Sequence, residues 1–166
     1  MSDALATYLH DHLAGSVHAV NILESLRDQH PNEPLGKFAS SLLVEVQGDR
    51  ETLRGLAERI GAGASELKEF TAWLSEKVSR LKLRHGGNGL GTLEALEFLE
   101  LGIHGKWALW RALAVVATSD SRLQGVDFQA LSARAEAQRS LVEERRLEVA
   151  RAVLLPEKAQ SAAARK

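Results

Sequence analysis

Four long stretches of this 166-residue chain have the hydrophobic spacing of helices, and in each the apolar stripe is interrupted near its middle by polar residues. In chain order these residues are His12 in the first stretch, Asp49 in the second, Lys106 or Glu100 in the third, and Gln138 with Arg145 in the fourth. In a bundle of such helices, a rise of 1.5 Å per residue places four of them about 15–18 Å from one end. Those four are His12, Asp49, Lys106 and Gln138. The sequence therefore predicts a polar core cluster of His12, Asp49, Lys106, Gln138 and Arg145.

Carboxylates and imidazoles inside a helical bundle are ligand types that hold iron or manganese. A second level, about 24–27 Å from the same end, contains Glu45 and Glu100 together with Arg145. His104 follows Glu100 by four residues and shares its helix face, which suits either two metal ligands or a surface Glu–His contact. If a metal binds, the candidate ligands are His12, Glu45, Asp49, Glu100 and His104.

Cations at the same levels argue against a metal centre. Lys106 and Arg145 would repel a divalent ion and would neutralise Asp49, Glu45 or Glu100. A buried carboxylate without a partner costs several kcal/mol, so a basic partner is what a metal-free bundle requires. We therefore predict that salt bridges stand in place of a metal and that no cofactor binds; iron or manganese is the alternative.

Composition restricts the classes of function. The formal net charge is −1, with 45% hydrophobic and 26% charged residues, which indicates a globular protein without a general attraction to nucleic acid or anionic membranes. Because the chain has no cysteine, disulfides, iron–sulfur clusters and thiol chemistry are excluded. Neither a signal peptide nor an apolar run of about 20 residues is visible, so a cytoplasmic protein is expected.

Helical periodicity covers residues 2–28, 34–60, 92–117 and 127–155, and no stretch alternates with period two, so an all-α fold is predicted. Ser2, Thr92 and Asp127 are the expected N-caps, while Gly61 and Gly63 end the second helix. Short linkers join the first two and the last two helices, which predicts two antiparallel hairpins. Residues 61–91 form a long crossover containing an extra helix at 65–83. Residues 1–155 are then one domain, followed by a flexible basic tail at 156–166.

This topology, with the strings YLHDHLAGSVHAV (8–20) and ELGIHGKWALWRAL (100–113), resembles small bacterial ferritin-like proteins of unassigned role. The resemblance implies a four-helix bundle. Active members of that superfamily take one Glu from each of two helices and a Glu-x-x-His motif from each of the other two. Here Glu45 is followed at the third place by Gly48, and Glu136 by Arg139. The ligand set of the family therefore does not carry over.

The sequence predicts a ferritin-like bundle without a working di-iron centre, acting as a binding or structural module. The alternatives are a metal-dependent redox or metal-handling protein with an unusual ligand set, and a bundle that binds a protein partner. No catalytic residues can be assigned. Trp107 and Trp110 are expected to be core or interface anchors, or to form a wall of a ligand pocket. Gly102 and Gly105 predict the close approach of another helix, for example across a homodimer.

Overall fold

The computed structural model describes residues 3–61 and 89–155, and this part of the chain contains four α-helices and no strand. They are α1 (Ala4–Gln29), α2 (Pro34–Ile60), α3 (Leu90–Val116) and α4 (Phe128–Leu154), with a 3₁₀ turn at Ser121–Leu123. The all-α prediction is confirmed. The predicted extra helix at 65–83, the crossover that contains it and the tail at 156–166 lie outside the described residues. The N-cap of α1 was predicted one residue too early, at Ser2, because Asp3 occupies that position.

None of the helices in the described ranges is both long enough and apolar enough to cross a membrane.

The ends of the helices follow from local sequence chemistry. Asp3 caps α1 by accepting the Leu5 backbone N–H at 3.0 Å. Gly61 ends α2 with φ at 78°, a left-handed conformation that suits glycine. Asp127 caps α4, as predicted, by accepting the backbone N–H of Ala130 at 2.9 Å. The start of α3 was predicted too late, because the helix begins directly after Gly89, whose φ is 75°.

Contacts at one end of the bundle set the directions of the helices. The Arg122 guanidinium, between α3 and α4, pairs with Asp3 before α1 at 2.6 Å. Arg59, near the end of α2, donates to the backbone carbonyls of Arg122 and Gln124 at 3.2 and 2.9 Å. The start of α1 and the ends of α2 and α3 therefore meet at the same end. Consequently α2 and α3 run in the same direction, and each hairpin is antiparallel.

The core lies between the helices and is built mainly from leucine. Helix α1 packs against α2 and α3, and α4 packs against α3 and α2. The largest fully buried side chains include Leu9 and Leu23 of α1, Leu56 of α2, Trp110 of α3 and Val142 of α4. Within residues 3–61 and 89–155, the buried polar residues are His10, Asp49 and Gln138.

Gly36, in the first turn of α2, lies very close to the backbone at the end of α1. A Cβ at this position would lie 2.0 Å from the carbonyl oxygen of His30 and 3.3 Å from that of Arg27. These are backbone atoms, which cannot move aside without shifting the end of α1. The hairpin therefore requires glycine at position 36.

We expect Gly36→Ala to lower the free energy of unfolding by about 2 kcal/mol or more, within the range for overpacked sites. Urea denaturation monitored by circular dichroism measures the change. Gly48→Ala is the matched control, since a Cβ there would meet no atom within 4 Å. It should stabilise the protein by up to about 1 kcal/mol through helix propensity. Equal midpoints for the two variants would contradict the close approach at Gly36.

Candidate functional site

The central acid of the bundle is Asp49 on α2, whose side chain is only 1% exposed. The Nζ of Lys106 on α3 donates to its Oδ2 at 2.5 Å. The guanidinium of Arg134 on α4 pairs with the other carboxylate oxygen, Oδ1. One buried carboxylate thus binds a cation from each of the two helices of the second hairpin. Such a charge-assisted arrangement compensates for the loss of water around Asp49.

Gln138 extends this arrangement to a second acid. Lys106 donates from Nζ to the side-chain oxygen of Gln138 as well. The amide nitrogen of Gln138 donates to Glu45 at 2.8 Å and contacts Asp49 at 3.4 Å. We call Glu45, Asp49, Lys106, Arg134 and Gln138 the core network. It contains two acids and two bases, so its formal charges sum to zero.

Burial also affects the charge of Lys106, the base at the centre of the core network. Its side chain is 15% exposed. Burial lowers the pKa of the Lys106 ammonium below its usual value, and the attraction of Asp49 opposes that shift. The lysine is therefore held in the bundle by its two polar partners rather than by contact with water.

Three of the five residues predicted for the polar cluster do meet: Asp49, Lys106 and Gln138. Arg145 lies elsewhere, because it pairs with Glu148 at 2.7 Å and its guanidinium lies 5.7 Å from the ring of Phe38. His12 lies beside the cluster, with its ring 4.7 Å from that of Tyr8. Sequence reasoning missed Arg134, although it is one helical turn before Gln138 and therefore shares its face.

The five candidate metal ligands do not converge. Asp49 and Glu45 are engaged by the core network, and His12 lies against Tyr8. Arg139 occupies the position between the other two, 3.6 Å from Glu100 and 3.3 Å from Nδ1 of His104. Within residues 3–61 and 89–155, no group of three or more His, Asp or Glu side chains is placed to hold a metal ion. Asp49 pairs with Lys106 and Arg134, and Glu100 pairs with Arg139, whereas Glu45 accepts from the neutral amide of Gln138.

A cavity of about 510 Å³ lies between α1, α2 and α3, beside the core network. Its walls are mostly apolar, and Asp49 and Lys106 line it together with residues that include Ile22, Val46, Leu53, Phe98, Ile103 and Leu109. This volume falls within the range of about 300–1,000 Å³ that is typical of small-molecule pockets. The cavity is partly open to solvent, because Gly15, Phe98 and Gly102 in its lining are exposed.

Glycines create much of this space. Gly15 on α1 and both Gly102 and Gly105 on α3 line the cavity, and a Cβ at any of the three would meet no atom within 4 Å. Among the described residues no helix approaches Gly102 or Gly105 closely, and an approach by a second copy of the chain stays a prediction. These glycines cost helix propensity and leave open volume instead.

Three residues in the lining of the cavity carry aromatic ring nitrogens, namely His12, His18 and Trp110. His12 and His18 line it, and burial lowers the pKa of both imidazoles, which favours their neutral forms at pH 7. Trp110 forms part of the wall and is fully buried. Nδ1 of His18 and Nε1 of Trp110 are buried without a hydrogen-bond partner among the described residues. Because these two atoms have almost no accessible surface, they are not open to the cavity.

The two tryptophans have different surroundings. The ring of Trp110 lies 6.3 Å from that of Phe128, inside the core. Trp107 is half-buried; His104 stacks on its ring at 5.3 Å, and the Arg111 guanidinium lies 4.7 Å from its centre. Of the pair, Trp110 is therefore both a core anchor and a wall of the cavity.

Comparison with known proteins identifies no relative: the chain matches no protein-family model, no curated protein and no solved structure. The ferritin-like resemblance accordingly stays a prediction.

Proposed function

We propose that this chain is a binding protein whose helical bundle holds a small, largely apolar molecule in the cavity between α1, α2 and α3. The observation that supports it best is an apolar cavity of about 510 Å³ directly beside a charge-balanced polar network. The space is partly open to solvent, since Phe98 in its lining is 51% exposed, and a ligand that entered it would bury apolar surface. The site has the general character of ligand pockets, with apolar walls and few polar groups.

The proposal includes descent from a ferritin-like architecture without its di-metal chemistry. Support comes from the shared direction of α2 and α3, which a long crossover between two hairpins would produce. Further support comes from Lys106 and Arg134, which bind the Asp49 carboxylate at the level where a metal would need it free. A non-enzymatic binding role in the cytoplasm fits this arrangement.

Titration with Nile red, an uncharged dye that fluoresces in apolar surroundings, tests the proposal. We expect saturable binding of one dye per chain. Gly102→Leu should weaken it at least tenfold, because the new side chain would extend from an open wall position into the cavity. Gly48→Leu is the matched control: it also adds leucine to an open helix position, but that position does not line the cavity. No saturable binding, or equal binding by both variants, would overturn the proposed function.

A second candidate, binding of a protein partner, is favoured by the apolar surface of α3. Phe98 and Leu101 are 51% and 63% exposed, and Phe98 also lines the cavity. A second copy of the chain is the simplest such partner. Sedimentation equilibrium at micromolar concentrations distinguishes the two candidates. Self-association through this face would raise the measured molar mass above that of one chain, and Phe98→Glu would restore the mass of the single chain. A small-molecule site requires neither self-association nor an effect of Phe98→Glu on the molar mass.

A further inference from the structure

Arg50 on α2 is a half-buried cation in the lining of the cavity, and no acid among the described residues pairs with it. Its Nε donates to the hydroxyl of Ser16 on α1 at 3.1 Å. Ser16 itself donates to the backbone carbonyl of Leu13 at 2.6 Å, so its oxygen is free to accept from Arg50. This contact with a neutral group holds the guanidinium at the wall of the cavity. The positive charge of Arg50 and its other N–H donors are therefore left for a ligand.

The other charges in the lining do not neutralise this cation. Asp49 is 1% exposed and pairs with both Lys106 and Arg134, so its charge is balanced within the core network. Asp11 is exposed, and it lies more than one helical turn along α1 from the serine that Arg50 contacts. Water around an exposed charge weakens its effect on other groups. An anion at Arg50 would therefore meet a positive group that no buried acid has already taken.

The apolar part of the lining extends away from Arg50 along the bundle. A rise of 1.5 Å per residue places Arg50 about 15 Å from the end of the bundle that holds Asp3. By the same measure Ile22 and Phe98, which also line the cavity, lie about 27 Å from that end. An aliphatic chain with its head at Arg50 could thus follow about 12 Å of mostly apolar wall. Burial of that chain would supply affinity.

We propose that the ligand of the cavity is an aliphatic carboxylate, a medium-chain fatty acid, whose head group pairs with Arg50. This inference rests on the proposed function, since it names the ligand class for the same cavity. A guanidinium suits a carboxylate because two parallel N–H···O bonds can form between them. Ser16 occupies Nε, so the two terminal amino groups of Arg50 would donate to the ligand. The half-buried position strengthens such a pair relative to one in water.

Decanoate and 1-decanol have the same chain length and differ only in the head group, so they test the inference directly. Isothermal titration calorimetry of the full chain at pH 7.4 would measure both affinities, each ligand below its aggregation concentration. A purely apolar cavity would favour decanol, because the removal of a carboxylate from water costs free energy. We expect decanoate to bind with at least tenfold higher affinity.

Two substitutions on α2 test whether Arg50 is the source of this preference. Arg50→Gln removes the charge and should weaken decanoate binding at least tenfold, with less than a twofold change for decanol. Arg54→Gln is the matched control, one helical turn further along α2. Arg54 pairs with Glu51, is more than half exposed and does not line the cavity, so its replacement should leave both affinities unchanged. Nile red binding by Arg50→Gln would show that this variant keeps the cavity.

The outcomes separate this inference from the proposed function. Equal or tighter binding of decanol to the unmodified chain would overturn the inference and would leave the cavity as an apolar binding site. Unchanged decanoate affinity in Arg50→Gln, or decanoate binding that survives Gly102→Leu, would overturn it as well. If Arg50→Gln also loses Nile red, the comparison of the two ligands on the unmodified chain decides the inference. If the unmodified chain binds neither Nile red nor decanoate, the proposed function fails and the inference fails with it.

Discussion

Replacing Asp49 with alanine is expected to lower the free energy of unfolding by about 3 kcal/mol or more, the cost of breaking a buried ion pair. The carboxylate is 1% exposed and binds Lys106 and Arg134 together. Lys106, which is 15% exposed, would remain in the bundle with only Gln138 as a polar partner. An uncompensated buried ammonium is more costly than the lost contact itself.

Urea denaturation at pH 7 measures this loss, and a surface acid on the same helix provides the control. Glu51 pairs with Arg54, and both side chains are more than half exposed. Glu51→Ala should shift the free energy of unfolding by no more than about 0.5 kcal/mol. If the midpoint of Asp49→Ala matched that of Glu51→Ala, Asp49 would have to lie in water, and the core network would not exist as described.

The helices were predictable because their signals are local. Apolar spacing identified all four, and Pro34, Gly61 and Asp127 marked three of their ends. The start of α3 was placed at Thr92 because Gly89 lies in a glycine-rich tract that reads as a loop. In the structure, a left-handed residue at position 89 precedes the first turn of the helix. The sequence alone does not show whether a glycine near a helix boundary lies inside the helix or just before it.

The core network was partly predictable for a geometric reason. Asp49, Lys106 and Gln138 interrupt apolar stripes at equal heights, so the helical rise alone brings them together. Arg134 gave no such signal, because its side chain is 46% exposed and reaches Asp49 from the edge of the bundle. Arg145 is a basic residue close to the predicted height of the cluster, but its guanidinium pairs with Glu148 on its own helix.

The cavity was not predictable, since it depends on side-chain volume that is missing rather than present. Gly102 and Gly105 suggested a close approach because glycine in a helix commonly permits one. Whether such a position meets another helix or empty space depends on the distance between α1 and α3. That distance is a property of the packed bundle, and the sequence pattern of either helix does not contain it.

Replacing Asp49 and Lys106 together should recover much of the stability that Asp49→Ala loses. In Asp49→Leu with Lys106→Met, both buried charges disappear, and side chains of similar length fill their places. Arg134 is 46% exposed and can turn into water. Gln138 keeps its hydrogen bond to Glu45 at 2.8 Å. The remaining cost is the side-chain oxygen of Gln138, which loses Lys106 as its donor.

A double-mutant cycle built from Asp49→Leu, Lys106→Met and their combination measures this recovery. We expect a coupling energy of about 2 kcal/mol or more, at the upper end of the range for residues in one network. Adding Gln138→Leu should stabilise the double variant further, because the last unsatisfied polar oxygen is then removed. Strictly additive losses would mean that Asp49 and Lys106 act independently, each satisfied by water.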